Sequence, residues 1–315
     1  MIPRSTLIAV LIGVEVAILV GMVGSFRGFG PETNPWTPSA GGPEPAQRTF
    51  SFLTGPGPAG YVDVGDADVD VEPHELPSVE VAEHHVGFSL GGGRAPVVSA
   101  TDTDGTIRVT RGPVTGSVFT SWESKVRLIV PPGTRLTVAH AGSIDVRGLR
   151  AAASLNSDDG SIIVHDFQGD LAASSSNGRI EVTDASGASL HADASNGRIV
   201  LTNVAAQHVD LISSNGRIEG TGLRLRDGIV SSSNGRVSLH FAAGTDATIT
   251  ASASNGGVSV TGLPAAGGVA PARSSDDDDD DDDDSRGAKT VRIGSGAGHL
   301  DVESSNGSID ITREG

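Results

Sequence analysis

Four arginines, Arg179, Arg198, Arg217 and Arg236, each follow a glycine within a recurring Ser-Asn-Gly text, nineteen residues apart. If the copies stack, their guanidinium groups form a file with a step of about 4.8 Å. Such a ladder would suit phosphate-bearing wall polymers or lipid head groups, because guanidinium forks bind oxyanions through paired N–H donors. Glu181 and Glu219 share that outward face and offset part of the charge. A solvated mixed-charge face, screened by salt, is the plainer reading. The run Asp276 to Asp284 is the other concentrated charge. Nine adjacent carboxylates lack the spaced, turn-forming geometry of a tight calcium site, so the run reads as a self-repelling, solvated loop. His74, His84 and His85 form the one histidine cluster, without metal-like spacing to other ligands. The sequence has no Gly-x-Ser-x-Gly elbow, no phosphate loop and no recurring carboxylate pair at one outward position. The expectation is a protein without catalytic, metal or cofactor residues.

The element that must position these arginines is a repeat. Glycines fall at 142, 160, 178, 197, 216, 235 and 256, and the text SSNGRIEVTD recurs as ASNGRIVLTN, SSNGRIEGTG, SSNGRVSLHF, ASNGGVSVTG and, last, SSNGSIDITR. The turn ladder is thus Asn177-Gly178, Asn196-Gly197, Asn215-Gly216, Asn234-Gly235, Asn255-Gly256 and Asn306-Gly307. Apolar residues stand two and four places after most of these glycines, as in Ile180/Val182 and Ile309/Ile311. Others stand seven and five places before most of them, as in Leu190/Ala192 and Leu300/Val302. Period-two spacing on both sides of the turn predicts two strands per repeat, each turning one face inward. A unit of about nineteen residues cannot bury that face alone, whereas stacked units give every strand a parallel neighbour. The expected fold is all-β: a parallel β-solenoid, favoured over a meander of antiparallel hairpins because only stacking demands like residues at a constant step. Asn-Gly at the corner is attributed to tolerance of positive φ, and the small residue three places before it to a tight corner. The last copy ends four residues from the C-terminus and reads as an uncapped edge, with Val291 to Ile293 resuming the stack after an insertion.

Composition agrees. Hydrophobic residues are 37%, aromatics 3%, and glycine occurs 43 times, which suits a narrow interior with frequent turns. Cysteine is absent, which excludes disulfides and thiol chemistry. The formal net charge is −17, and nucleic acid is an unsuitable partner for so acidic a chain. At the N-terminus, Arg4 precedes Leu7 to Val23, an apolar run whose one ionisable member is Glu15. Residues 1–27 read as an uncleaved signal anchor or transmembrane helix, with Val23-Gly24-Ser25 the alternative as a cleavage site. Either way the remainder is exported. Residues 28–47 are a Pro/Gly-rich linker, and 48–315 the β-solenoid, interrupted by a disordered acidic insertion at 264–288.

From Val126-Arg127-Leu128-Ile129-Val130-Pro131-Pro132-Gly133 through Gly142-Ser143-Ile144-Asp145-Val146 to the Ser-Asn-Gly-Arg-Ile copies, the sequence resembles the bacterial candidate-adhesin domains of unknown function. The resemblance covers roughly residues 48 to 315 and implies a β-solenoid outside the cytoplasmic membrane, associated with the cell envelope and without enzyme activity. The resulting expectation is a single-pass, membrane-tethered, extracytoplasmic binding or sensing module. Its partners would be the cytoplasmic membrane through the N-terminal helix, and envelope polymers or a membrane protein through the solenoid. The alternative is a structural scaffold, a homo-oligomer joined end to end through the uncapped edge.

Overall fold

The computed structural model describes residues 48–313 except 55–56, 77, 91–95, 114–118 and 264–287. The anchor at 1–27, the linker at 28–47 and the aspartate run lie outside the described residues. The chain divides into Met1–Gly42 and Pro43–Gly315, and all that follows concerns the second unit.

The described residues form strands and turns. The first strands are β1 (Arg48–Leu53), β2 (Ala59–Asp63), β3 (Asp68–Pro73), β4 (Ser78–Leu90), β5 (Val98–Thr103), β6 (Thr106–Arg111) and β7 (Phe119–Val130). Next come β8 (Arg135–His140), β9 (Ile144–Arg147), β10 (Ala153–Ser157), β11 (Ile162–Gln168), β12 (Leu171–Ser175), β13 (Ile180–Ala194) and β14 (Ile199–Ser213). The last are β15 (Ile218–Ser232), β16 (Val237–Phe241), β17 (Ala247–Ala253), β18 (Val258–Thr261), β19 (Lys289–Ile293), β20 (Gly298–Ser304) and β21 (Ile309–Arg313).

Along each strand buried and less buried residues alternate, as the period-two pattern requires. Ile162, Ile180, Ile199 and Ile218 stack in register, as do Leu171, Leu190 and Val209 on the opposite row. The isoleucines are fully buried. Burying one such side chain contributes about 1.5–3 kcal/mol relative to exposure, and the columns repeat that contribution coil after coil. Small local adjustments keep them filled. At Gly220 the inward column has no side chain, and the register slips by Leu223, which swings into the gap and is fully buried.

In the central coils a strand does not end between the two rows. β13, β14 and β15 each run for fifteen residues and bend round a second corner. That corner lies six residues after the turn glycine, at Gly148, Asp166, Asp184, Asn203, Gly222 and Gly262, all with positive φ. Glycine, asparagine and aspartate are the residues that tolerate this conformation.

The Asn-Gly corner has a different basis from the one the sequence suggested. None of Gly178, Gly197, Gly216, Gly235, Gly256 or Gly307 has positive φ. A Cβ on Gly178 would collide with the carbonyl oxygen of Gly160, and one on Gly216 with that of Gly197. Glycine is required because consecutive corners touch backbone to backbone.

The order of the coils in space departs from their order in the chain at both ends. β20 lies between β15 and β17, parallel to both, and β21 lies between β16 and β18. The C-terminal copy is therefore inserted into the stack. β19 does not resume the parallel rows: it pairs antiparallel with the outer side of β17. At the other end β2 lies between β6 and β8, and β3 between β7 and β9. Antiparallel strands close that end, β5 on β6 and β4 on β7, with β1 on β4. The expected uncapped edge at Ile309-Asp310-Ile311 is thus interior. Among the described residues the outermost strands are β1, β5, β19 and the short β18. Three of these four are antiparallel to the neighbour they cover, so the premise of end-to-end joining through the last copy fails.

Candidate functional site

Two side-chain devices fix the turns, a serine and an asparagine, with alanine in the serine's place at Ala194 and Ala253. The buried serine three residues before the glycine bonds across and along the stack. Ser175 Oγ accepts from the Gly178 amide at 2.9 Å and donates to the Gly160 carbonyl at 3.1 Å. Ser232 Oγ accepts from Gly235 at 3.0 Å and donates to Gly216 at 3.3 Å, and Ser304 donates to Gly235 at 3.2 Å. Small size, which the sequence explained by space, is therefore half the reason. The hydroxyl also satisfies corner backbone groups that would otherwise be buried unpaired.

The asparagines form a continuous file. Asn177 donates to Asp159 Oδ1 at 2.6 Å, Asn196 to Asn177 at 2.9 Å, Asn215 to Asn196 at 2.9 Å and Asn234 to Asn215 at 2.8 Å. The file continues through the inserted copy, Asn306 donating to Asn234 at 2.8 Å and Asn255 to Asn306 at 2.9 Å. Every amide is oriented alike, as in the asparagine ladders of stacked strands. The repeated Asn was legible in the sequence, but its role as a donor–acceptor ladder was not.

The four arginines do stand in one file, linked by the backbone bonds Ile180 N to Arg198 O, Ile199 N to Arg217 O and Ile218 N to Arg236 O. All four are engaged by acids of the same face. Arg179 meets Glu181 at 3.0 Å, Arg217 meets Glu219 at 3.0 Å and Arg198 meets Glu219 at 3.7 Å. Arg236 lies 3.9 Å from Asp310 and donates to Ser308 Oγ at 2.9 Å. Any anion binding there competes with built-in carboxylates. A second charged patch lies on the same row near β3, where Lys125 pairs with Asp70 at 2.7 Å and Arg127 with Glu72. The hydrogen bond to Asp70 holds the Lys125 ammonium above its ordinary pKa.

His74 bonds the Ser78 carbonyl at 2.5 Å, and His84 is exposed on β4. His85 belongs to the same strand. Among the described residues no group of three or more His, Asp or Glu is placed to hold a metal.

Two open grooves lie on the side that follows the second corner. One groove of about 380 Å³ crosses four successive segments: Ser186–Gly187, Ala205–Gln207, Arg224–Arg226 and Gly244–Asp246. A second, of about 290 Å³, runs from Arg135–Thr137 past Ala153 and Asp170 to His191. A narrow cleft shares Ser186 and Gly187 with the first groove, and Leu171 and Ser189 with the second. Small residues at Gly187, Ala205 and Ala206 make the hollow, and larger ones wall it. No sequence motif marks it. Its one signal was Arg224-Leu225-Arg226, two cations flanking a buried leucine.

Asp246 ends the first groove and clamps the inserted copy. It accepts from Ser295 Oγ at 2.8 and 3.0 Å, from the Gly296 amide at 2.6 Å and from the Ala297 amide at 3.2 Å. The Ser295 hydrogen bond, followed by the amides, holds its carboxyl below the usual carboxylate range. Asp227 adds a second clamp by accepting from the His299 amide at 2.8 Å.

A family model described as Toastrack DUF4097 matches residues 61–312. Among solved structures, a candidate adhesin from Parabacteroides distasonis ATCC 8503 is similar at 12% identity and a TM-score of 0.47, covering 86% of this chain and 98% of that one. A candidate adhesin from Parabacteroides merdae ATCC 43184 is similar at 12% identity and a TM-score of 0.45, covering 85% and 96%. A candidate lipid-binding protein from Parabacteroides distasonis ATCC 8503 is similar at 12% identity and a TM-score of 0.42, covering 85% and 97%. No curated protein matches the sequence.

Proposed function

Starting from the premise that the chain belongs to the Toastrack DUF4097 family, we propose that it is a non-enzymatic binding module of the bacterial cell envelope. Residues 1–27 hold it to the cytoplasmic membrane, residues 28–47 space it away, and the parallel β-solenoid presents its outer faces on the far side. The observation that carries this reading is the arrangement of outward side chains. In-register stacking sets them in straight files on a backbone paired on both sides, so the molecule offers extended surfaces and open grooves. Recognition of this kind draws on repeated contacts along a rigid surface, as in other solenoids.

The test uses the full-length chain. Protease treatment of intact cells should degrade the portion after residue 47 and leave the N-terminal segment in the membrane fraction. Detergent-solubilised protein should retain envelope polymers or a membrane protein from envelope extracts. Full protection of the chain in intact cells would overturn the topology, and retention of nothing from the extract would overturn the binding role. Turnover of envelope polymers by the purified chain would overturn the non-enzymatic reading.

A further inference from the structure

We propose that the groove walled by Arg224 and Arg226 binds a linear acidic polysaccharide lying lengthwise along the stack. This deepens the binding-module reading and rests on it. Arg224 and Arg226 flank buried Leu225, so on an extended segment both side chains leave the same face, about 7 Å apart. Each guanidinium is held by its inner nitrogen. Arg224 Nε donates to the Ala243 carbonyl at 3.4 Å, and Arg226 Nε stands 3.4 Å from Asp227. No hydrogen bond to a described residue engages the terminal amino groups of either. At the Asn-Gly corner, by contrast, Arg179, Arg198 and Arg217 each meet a glutamate through a terminal amino nitrogen. Terminal guanidinium nitrogens presented side by side are suited to carboxylates, which they bind through two parallel bonds.

The rest of the groove narrows the ligand class. Its floor is Gly187, Ala205 and Ala206, flat and apolar enough for the C–H face of a sugar ring. Ser186 and Gln207 are exposed beside it and supply a hydroxyl and an amide, each both donor and acceptor, as sugar hydroxyls require. No aromatic lines it, which leaves nucleobases without a stacking platform. The segments at Ala205 and Ala206 are paired on both sides, so a peptide finds no free strand edge there. The three stacked segments at Ser186, Ala205 and Arg224 give a track of about 10 Å, a length that favours a chain over a single sugar. Asp246 at the far end is engaged by Ser295, Gly296 and Ala297, and its charge directs the ligand's carboxylate toward the two arginines.

The test is calorimetric titration of the full-length chain in detergent with an oligogalacturonate of defined length. The controls are its neutral methyl ester and inorganic polyphosphate. The acidic oligomer should bind and the methyl ester should not. Arg224→Gln/Arg226→Gln should weaken binding at least tenfold, and Gln207→Glu, which adds a charge to an exposed position, should also weaken it. Arg179→Gln/Arg198→Gln/Arg217→Gln/Arg236→Gln should leave it unchanged. Absence of binding by the unaltered chain at millimolar oligomer, unchanged affinity in both groove variants, or equal binding of polyphosphate would overturn the proposal. If the unaltered chain retains envelope components from extracts but binds no acidic oligomer, the groove fails while the binding module stands. If the unaltered chain retains none, the broader reading fails as well.

Discussion

The side-chain amide of Asn306 donates to Oδ1 of Asn234 across 2.8 Å, although the two residues are 72 positions apart. Asn255, much nearer to Asn234 in sequence, donates to Asn306 and not to Asn234. The ladder therefore records the order of the coils in space. A double-mutant cycle on Asn234→Ala and Asn306→Ala should give a coupling of about 0.5–1 kcal/mol, the usual worth of a neutral hydrogen bond. The same cycle on Asn234 and Asn255 should give none. Opening free energies from hydrogen exchange at β16 are the appropriate readout, because stacked repeats open locally.

Ile309 is fully buried, between Val237 of β16 and Val258 of β18. Ile309→Ala should lower the opening free energy of both flanking strands by about 2–4 kcal/mol, the loss expected for a core cavity. Were β21 an exposed edge, the loss would stay below about 1 kcal/mol and would reach one neighbour alone.

Gly216→Ala tests why the corners are glycine. The backbone conformation admits alanine, but the added methyl meets the Gly197 carbonyl, so the substitution should cost about 3 kcal/mol. Gly105 has φ of 77° and open space around it, so Gly105→Ala should cost only about 1 kcal/mol of backbone strain. A larger loss at Gly105, by thermal denaturation of the two variants, would restore the conformational explanation.

Much of this architecture was legible in the sequence, and the illegible part has a physical cause. Period-two apolar residues around each Asn-Gly, repeated at a near-constant step, indicate strands whose inward faces stack. They carry no information on stacking order, because Ile180, Ile199, Ile218 and Ile309 present the same side chain to whatever lies above. The addresses are single contacts, Asp246 with Ser295 to Ala297, Asp227 with His299, and Arg236 with Ser308, which no periodicity reveals. The groove was illegible for the opposite reason. It is made by the absence of bulk at Gly187, Ala205 and Ala206, and small residues are common throughout this chain.

The clamp at Asp246 should give stability a pH dependence. Its folded-state pKa is lowered by the Ser295 hydroxyl and neighbouring amides, so its contribution is complete above the ordinary carboxylate pKa of about 4 and is lost as pH falls through the lower folded value. Melting temperatures of the unaltered chain and of Asp246→Asn should differ by a constant amount above about pH 5 and converge below about pH 4. A difference that persists undiminished into more acidic solution would contradict the assignment.

The inserted C-terminal copy is tested most directly by paired cysteines in this cysteine-free chain. Ser308 sits beside Arg236 on the outer face and Gly257 lies one coil further, as the bonds Val237 N to Ser308 O and Ile309 N to Gly257 O show. A disulfide needs Cα atoms within about 7 Å, a condition met by neighbouring strands but not by next-neighbours at about 9.6 Å. Mild oxidation of Arg236→Cys/Ser308→Cys should yield an intramolecular disulfide in monomeric protein, and Arg236→Cys/Gly257→Cys should not. The reverse pattern would mean that the coils stack in sequence order and would contradict the fold described.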